Sequence, residues 1–208
     1  MALTTLDPIT ALIVIDLQSG LMGWPFAHPI GDIVARAAAL GAAFRRHGLP
    51  VALVNVDGSS PGRTEQAPRH GNLIGNLIGN PIGNPFGGPL PDGWTDLIPE
   101  LDRQPGDIVV TKRTRGAFAS TDLESLLRAR GVTQVVIVGV ATAGGVESTA
   151  RQAYEAGFNV TLAIDAMTDA RPHAHAYSIE HVFPRLGETG STQAIIDLVE
   201  RINAHELA

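Results

Sequence analysis

The chain has 208 residues, 44% of them hydrophobic and 17% charged, a formal net charge of -6 and no cysteine. That length closes one hydrophobic core in a single domain spanning residues 1–208, and the acidic balance offers no basic field to nucleic acid or an anionic membrane surface, leaving a small soluble substrate or a protein as the expected partner. Without a thiol, disulfides, thiolate metal sites and cysteine catalysis are excluded together.

The opening "MALTTLDPITALIVIDLQSG" has no basic stretch ahead of its apolar run, and Asp16 interrupts that run. This predicts neither a signal peptide nor a membrane span, and a cytoplasmic location. The runs "ALIVID", "PVALVNV", "DIVVTK", "TQVVIVGV" and "NVTLAID" are near-continuously apolar and rich in β-branched residues, the pattern of strands buried on both faces. Between them lie helical patterns, "IVARAAALGAAFRRHG", "TDLESLLRARG" and "GVESTARQAYEAG", each ending on a glycine suited to a C-cap: Gly48, Gly131 and Gly157. Thr121 precedes Glu124 at capping-box spacing, and the tail "STQAIIDLVERINAHELA" predicts a last helix through Ile195, Ile196, Leu198, Val199 and Ile202. Strand and helix in alternation imply an α/β protein of three αβα layers, Rossmann-like, with a parallel sheet covered on both faces.

Residues 72–87 read "NLIGNLIGNPIGNPFG", four tandem Asn-x-x-Gly units in which Asn, Gly and Pro favour successive turns. Two readings stand: a replicated surface loop inserted in the domain, or, given its Leu, Ile and Phe residues, a cover for a pocket or a subunit contact.

Ligands of parallel α/β sheets bind beyond the carboxyl ends of the strands, which directs attention to Asp16, to Lys112 and to the turn Ala141–Gly145 in "GVATAGGVESTAR". Asp16 is either a turn carboxylate or one half of a desolvated pair with Lys112, itself otherwise a surface lysine. The turn is either a plain connection or an oxyanion-binding corner, since Gly144 and Gly145 admit close backbone approach at a helix start.

With these positions assembled, the chain resembles the isochorismatase-like hydrolases, the cysteine hydrolase superfamily, over nearly its full length. The resemblance rests on "ALIVIDLQSG", "VVTKRTRGAFASTDL", "VIVGVATAGGVESTARQAYEAGFNVTLAIDAMTD" and "VFPRLGETGST". It implies a parallel sheet of about six strands, assembly as a homodimer or homotetramer, and action on amides, ureides or isochorismate. It implies an Asp-Lys-Cys triad that maps onto Asp16, Lys112 and Gly145, a cis peptide between Val140 and Ala141, and backbone amides of Ala141 and Gly145 facing substrate oxygen.

Glycine at 145 departs from that pattern at its nucleophile, and a glycine cannot form an acyl intermediate. Ser148 is the nearest hydroxyl, but no histidine at motif spacing activates it, and it reads as a helix-surface serine. Enol ether hydrolysis remains open to this chain, because it needs a proton delivered to carbon and then water, with no covalent intermediate. Asp16 would be the acid or a water-directing base, with Lys112 orienting it. Burial raises its pKa and Lys112 lowers it, a contest the sequence leaves open.

No metal or cofactor is expected. Nicotinamidase-like relatives carry Asp-x-His after the second strand, where "NVDGSSPGRTEQ" has Ser59 in the His place, and His173, His175 and His181 in "RPHAHAYSIEH" are poorly spaced for joint ligation on a helix. "GVATAGG" matches neither a dinucleotide fingerprint nor a P-loop. Arg113 and Arg115 are candidates to receive a substrate carboxylate, and Trp24, Asp57 and Arg63 to line the pocket. The leading expectation is a cysteine-independent hydrolase of a small polar or anionic metabolite. The alternatives are an inactive scaffold that binds a ligand or serves in assembly, and a Cys-to-Gly variant of an amidohydrolase.

Overall fold

A computed structural model describes residues 3–57 and 90–202 of the chain. Within them the five apolar runs form β1 (Thr10–Ile15), β2 (Val51–Val56), β3 (Ile108–Lys112), β4 (Gln134–Val140) and β5 (Asn159–Thr168), and a short β6 (Glu188–Gly190) joins them. All neighbours pair in parallel, in the order β3-β2-β1-β4-β5-β6. The helices are α1 (Ile30–Arg46), α2 (Leu123–Arg128), α3 (Glu147–Glu155), α4 (Pro172–Tyr177) and α5 (Thr192–Ile202). This is the three-layer α/β architecture that the alternation of patterns implies.

The pleat of β1 shows how the layers are sorted. Leu12 and Val14 face α1 and α5, packing with Ile33, Leu40, Phe44, Ile195 and Val199. Ala11, Ile13 and Ile15 point the other way, toward Leu123 and Leu127 of α2 and Ala150 and Ala153 of α3. Burial of each such Leu, Ile or Phe contributes about 1.5–3 kcal/mol, so covering both faces of the central strand is what ties the helices to the sheet. No helix among the described residues is long and apolar enough to cross a membrane.

Three local differences from the sequence expectation have physical causes. β6 has only three half-buried residues, Glu-Thr-Gly, so no apolar run marks it. β5 continues beyond Asp165 to Thr168 because a register shift between Ile137 and Gly139 lets β4 pair first with Leu162 and then with Met167. α2 begins at Leu123, and only half of the capping box forms: Thr121 Oγ1 accepts the Leu123 N–H at 3.1 Å, while Glu124 turns to Arg128 at 3.9 Å. Gly48 and Gly157 directly follow the C-caps of α1 and α3 with φ of 66° and 81°, as expected, while Gly131, with φ 73°, lies two residues beyond Ala129, the C-cap of α2. The repeat at 72–87 lies outside the described residues.

Candidate active site

In this strand order the chain leaves β1 and β4 in opposite directions, opening a crevice at their carboxyl ends. Asp16 follows β1 there and has φ 55°, the left-handed region that non-glycine residues seldom occupy outside turns and functional corners. Its backbone N–H donates to Val54 O at 2.8 Å. Gln18, fully buried, braces the same corner: it accepts the Val56 N–H at 2.8 Å and donates to Val56 O at 3.1 Å and Trp94 O at 3.2 Å. The end of β2 is thereby locked against the turn that carries Asp16.

Lys112, the last residue of β3, has no exposed surface, and its Nζ stands 2.8 Å from Asp16 Oδ2 and 3.3 Å from Thr114 O. Asp16 is 3% exposed, and its Oδ1 is buried with no protein partner among the described residues. Burial raises its carboxyl from the ordinary 3.8 to about 6, while the Lys112 ammonium pulls the other way and offsets only part of the rise. Desolvation therefore outweighs the Lys112 charge, and the Asp16 carboxyl is pushed up to about 6.

The turn after β4 completes the corner. A Cβ at Gly139, which has φ 111°, would meet Ile15 O at 2.1 Å, so only glycine lets β4 close this tightly on β1. The Val140–Ala141 peptide is cis, as the resemblance implies. A Cβ at Gly145 would stand 2.9 Å from Ile15 Cγ2 and 3.1 Å from Asp16 Oδ2, so position 145 faces the carboxylate. Asp16, Val140, Ala141 and Gly145 line one cavity with Val56 and the wall of Leu21, Trp24 and Phe26. Its volume of about 20 Å3 is room for about one water.

The structure thus brings Asp16, Lys112, Val140, Ala141, Gly145 and Trp24 together. It does not bring Asp57, Arg113 or Arg115 to the cavity wall: Arg113 pairs with Asp57 at 3.2 Å and Arg115 is exposed. Arg63 and Ser59 lie outside the described residues. Ser148 sits half-buried on α3 with no hydrogen bond to Asp16 or Lys112. His173 and His181 border a separate groove between α3 and α4, and His175 meets Thr142 Oγ1 at 2.8 Å. No group of three or more His, Asp or Glu side chains among the described residues is arranged to hold a metal ion.

Sequence reasoning missed Leu21 and Phe26, although the aromatic-rich "LMGWPF" directly after Asp16 was available as a signal. It also missed Asp169, which follows β5 as Asp16 follows β1 and is 2% exposed. The strand-end rule reaches Asp169 only once β5 is known to extend that far.

Residues 10–194 match the isochorismatase domain. The chain is 39% identical over 191 residues to the isochorismatase family protein YecD of Escherichia coli O157:H7, covering 90% of this chain and 95% of that one. It is 30% identical over 223 residues to the ureidoacrylate amidohydrolase RutB of Methylobacterium radiotolerans, covering 96% and 84%. The solved structure of an isochorismatase family protein from Burkholderia thailandensis superposes with a TM-score of 0.76 at 36% identity, covering 94% of this chain and 98% of that one. The crevice geometry and these likenesses agree, and the chain belongs to the isochorismatase family, as one of its hydrolases.

Proposed function

We propose that this chain is a cysteine-independent hydrolase of a small polar or anionic metabolite, acting in the cytoplasm as a homodimer or homotetramer, with isochorismate-type enol ether hydrolysis its favoured reaction. The observation that carries this reading is a carboxyl group titrating at about 6, held 2.8 Å from a buried ammonium and facing a glycine where a nucleophile would stand. Such a group is an acid or base matched to neutral pH. It does not need a thiol.

Protonated Asp16 delivers its proton to the methylene carbon of the enolpyruvyl group, leaving an oxocarbenium ion. Water adds to the cationic carbon, the resulting hemiketal loses the ring alcohol, pyruvate is released, and the surplus proton returns to Asp16. Lys112 holds the carboxylate in place between these steps, and the backbone N–H groups of Ala141 and Gly145 would face substrate oxygen. Leu21, Trp24 and Phe26 keep the acid dry, which favours its protonated form, and an anionic substrate favours it further. The substrate exceeds the present cavity of about 20 Å3, which widens to admit it.

The test is pyruvate release from isochorismate by the purified protein and by Asp16→Asn. The expected result is turnover that the substitution lowers by about 10²–10⁴-fold, the range for loss of a general acid or base. Equal rates in both remove the mechanism, and binding of isochorismate without pyruvate identifies an inactive scaffold.

Amide hydrolysis is the second reading. It is favoured by the likeness to an enzyme named ureidoacrylate amidohydrolase and by the 3.1 Å between a Cβ at 145 and Asp16 Oδ2. Gly145→Cys would set a thiol beside the pair, and a gain of ureidoacrylate hydrolysis by that variant alone would mark the chain as an amidohydrolase scaffold that lost its nucleophile.

A further inference from the structure

We propose that Asp169 is a positioning residue that holds the donor turn and the aromatic cavity wall as one unit, an inference that rests on the catalytic reading of the Ala141–Gly145 turn. Asp169 emerges from the end of β5 and is 2% exposed. Its Oδ2 accepts the N–H of Ala143, midway along the donor turn, at 2.9 Å, and its Oδ1 accepts the Arg171 N–H at 3.0 Å. The Arg171 guanidinium stands 3.7 Å from Oδ1, so the carboxylate has a cation as well as two donors. Its own carbonyl accepts the N–H of Ala27 at 2.9 Å, just beyond the Trp24 and Phe26 that wall the cavity.

One residue therefore grips two segments, by its side chain on one and its backbone on the other. Neighbouring contacts repeat the connection. Thr168 Oγ1 accepts the His28 N–H at 3.3 Å and meets His28 Nδ1 at 3.0 Å. Thr142 Oγ1 meets His175 Nδ1 at 2.8 Å, and the His28 and His175 rings lie 4.7 Å apart between centroids. A buried carboxylate with both oxygens engaged is costly to disturb, so the turn and the wall keep a fixed relation while the substrate reacts. Precise aim of the backbone donors holds the substrate so that its methylene carbon meets the Asp16 proton, which acts mainly on kcat, and placement of the wall acts mainly in binding.

Asp169→Asn tests this, because an amide offers a single acceptor oxygen to two N–H donors. Hydrogen exchange should quicken about tenfold or more at both Ala143 and Ala27 while Ile137, in the core of β4, keeps its protection. On isochorismate, kcat should fall about tenfold or more as the turn loosens, and KM should rise about threefold or more as the wall loosens with it. Thr168→Val frees His28 while keeping the bond to Ala143, and should raise KM more than it lowers kcat. Faster exchange at Ala143 alone, or an unchanged kcat despite faster exchange at both amides, overturns the proposal. A loss of protection at Ile137 in step with kcat would show a merely structural role, and also overturns it. If wild-type protein turns over no isochorismate, the catalytic reading fails, and the exchange at Ala143 and Ala27 still decides whether Asp169 joins the two segments.

Discussion

The two ends of β3 each meet an ion pair, half-buried at the amino end and fully buried at the carboxyl end, and the pairs are built differently. At the amino end Asp107 receives Arg45 Nε at 3.1 Å and Nη2 at 2.8 Å in a bidentate fork, and also the Gln104 N–H at 2.8 Å, while Nη2 reaches Leu101 O at 3.1 Å. At the carboxyl end Lys112 gives Asp16 one contact at 2.8 Å, and Asp16 Oδ1 has no protein partner among the described residues. An arginine fork saturates a carboxylate and fixes it, whereas an ammonium is a point charge that leaves lone pairs for other molecules. The saturated pair suits a role in the fold, and the unsaturated pair is the one to which the proposed mechanism assigns chemistry. Burying a half-satisfied carboxylate costs stability and is retained only where the group has a task.

The widest separation between the two ends should come from removing one partner of each pair. Lys112→Met should lower kcat by about 10²-fold or more, the scale of losing an electrostatic contact in a desolvated site. Asp107→Ala should leave kcat near wild type and lower unfolding stability by about 1.5–3 kcal/mol, as expected when a half-buried arginine fork loses its charged acceptor. Denaturant unfolding and steady-state kinetics on the same preparations check both. A fall in kcat for folded Asp107→Ala would dissolve the distinction.

The next effect is on pH dependence, where the catalytic end alone should respond. An acid titrating at about 6 works when protonated, so kcat/KM should be flat below that value and fall tenfold per unit above it. Lys112→Met removes the influence that lowers the Asp16 pKa, so the midpoint should move upward. A profile that instead rises through 6 would make Asp16 a base. The stability linkage has a matching sign: the folded state holds the Asp16 proton more tightly than the unfolded chain, so this group favours folding most fully below 3.8. That advantage is lost as pH rises through about 6.

How much of this was legible depends on how local the determinants are. The central strands and their helices follow from period and capping, and the strand-end rule led to Asp16, Lys112 and the glycine turn because each lies at the end of an uninterrupted apolar run. The placement of Gly145 opposite Asp16 is a relation across 129 positions that only the β1–β4 register creates, with Ile15 beside Gly139. Asp169 was hidden by the irregularity of β5, which carries the strand past Asp165. The outcome for Asp16 was hidden for a different reason: desolvation and the Lys112 charge oppose each other, and burial in three dimensions decides between them.

The smallest expected effect comes from making the catalytic end as full as the structural one. Gly145→Ala adds a methyl at 2.9 Å from Ile15 Cγ2, 3.1 Å from Asp16 Oδ2 and 3.2 Å from Val140 O. Alanine gains about 1 kcal/mol over glycine in helical backbone. Ile15, with no exposed surface, must still shift, and overpacking of that kind costs about 1–3 kcal/mol. The net is a destabilisation of about 1 kcal/mol, read as a small drop in thermal midpoint. The methyl also occupies the room for about one water beside Asp16, so kcat should fall about tenfold although no polar group has been removed. An unchanged kcat with the expected drop in midpoint would mean that the reacting water approaches Asp16 from another side, and glycine at 145 would then matter for packing alone.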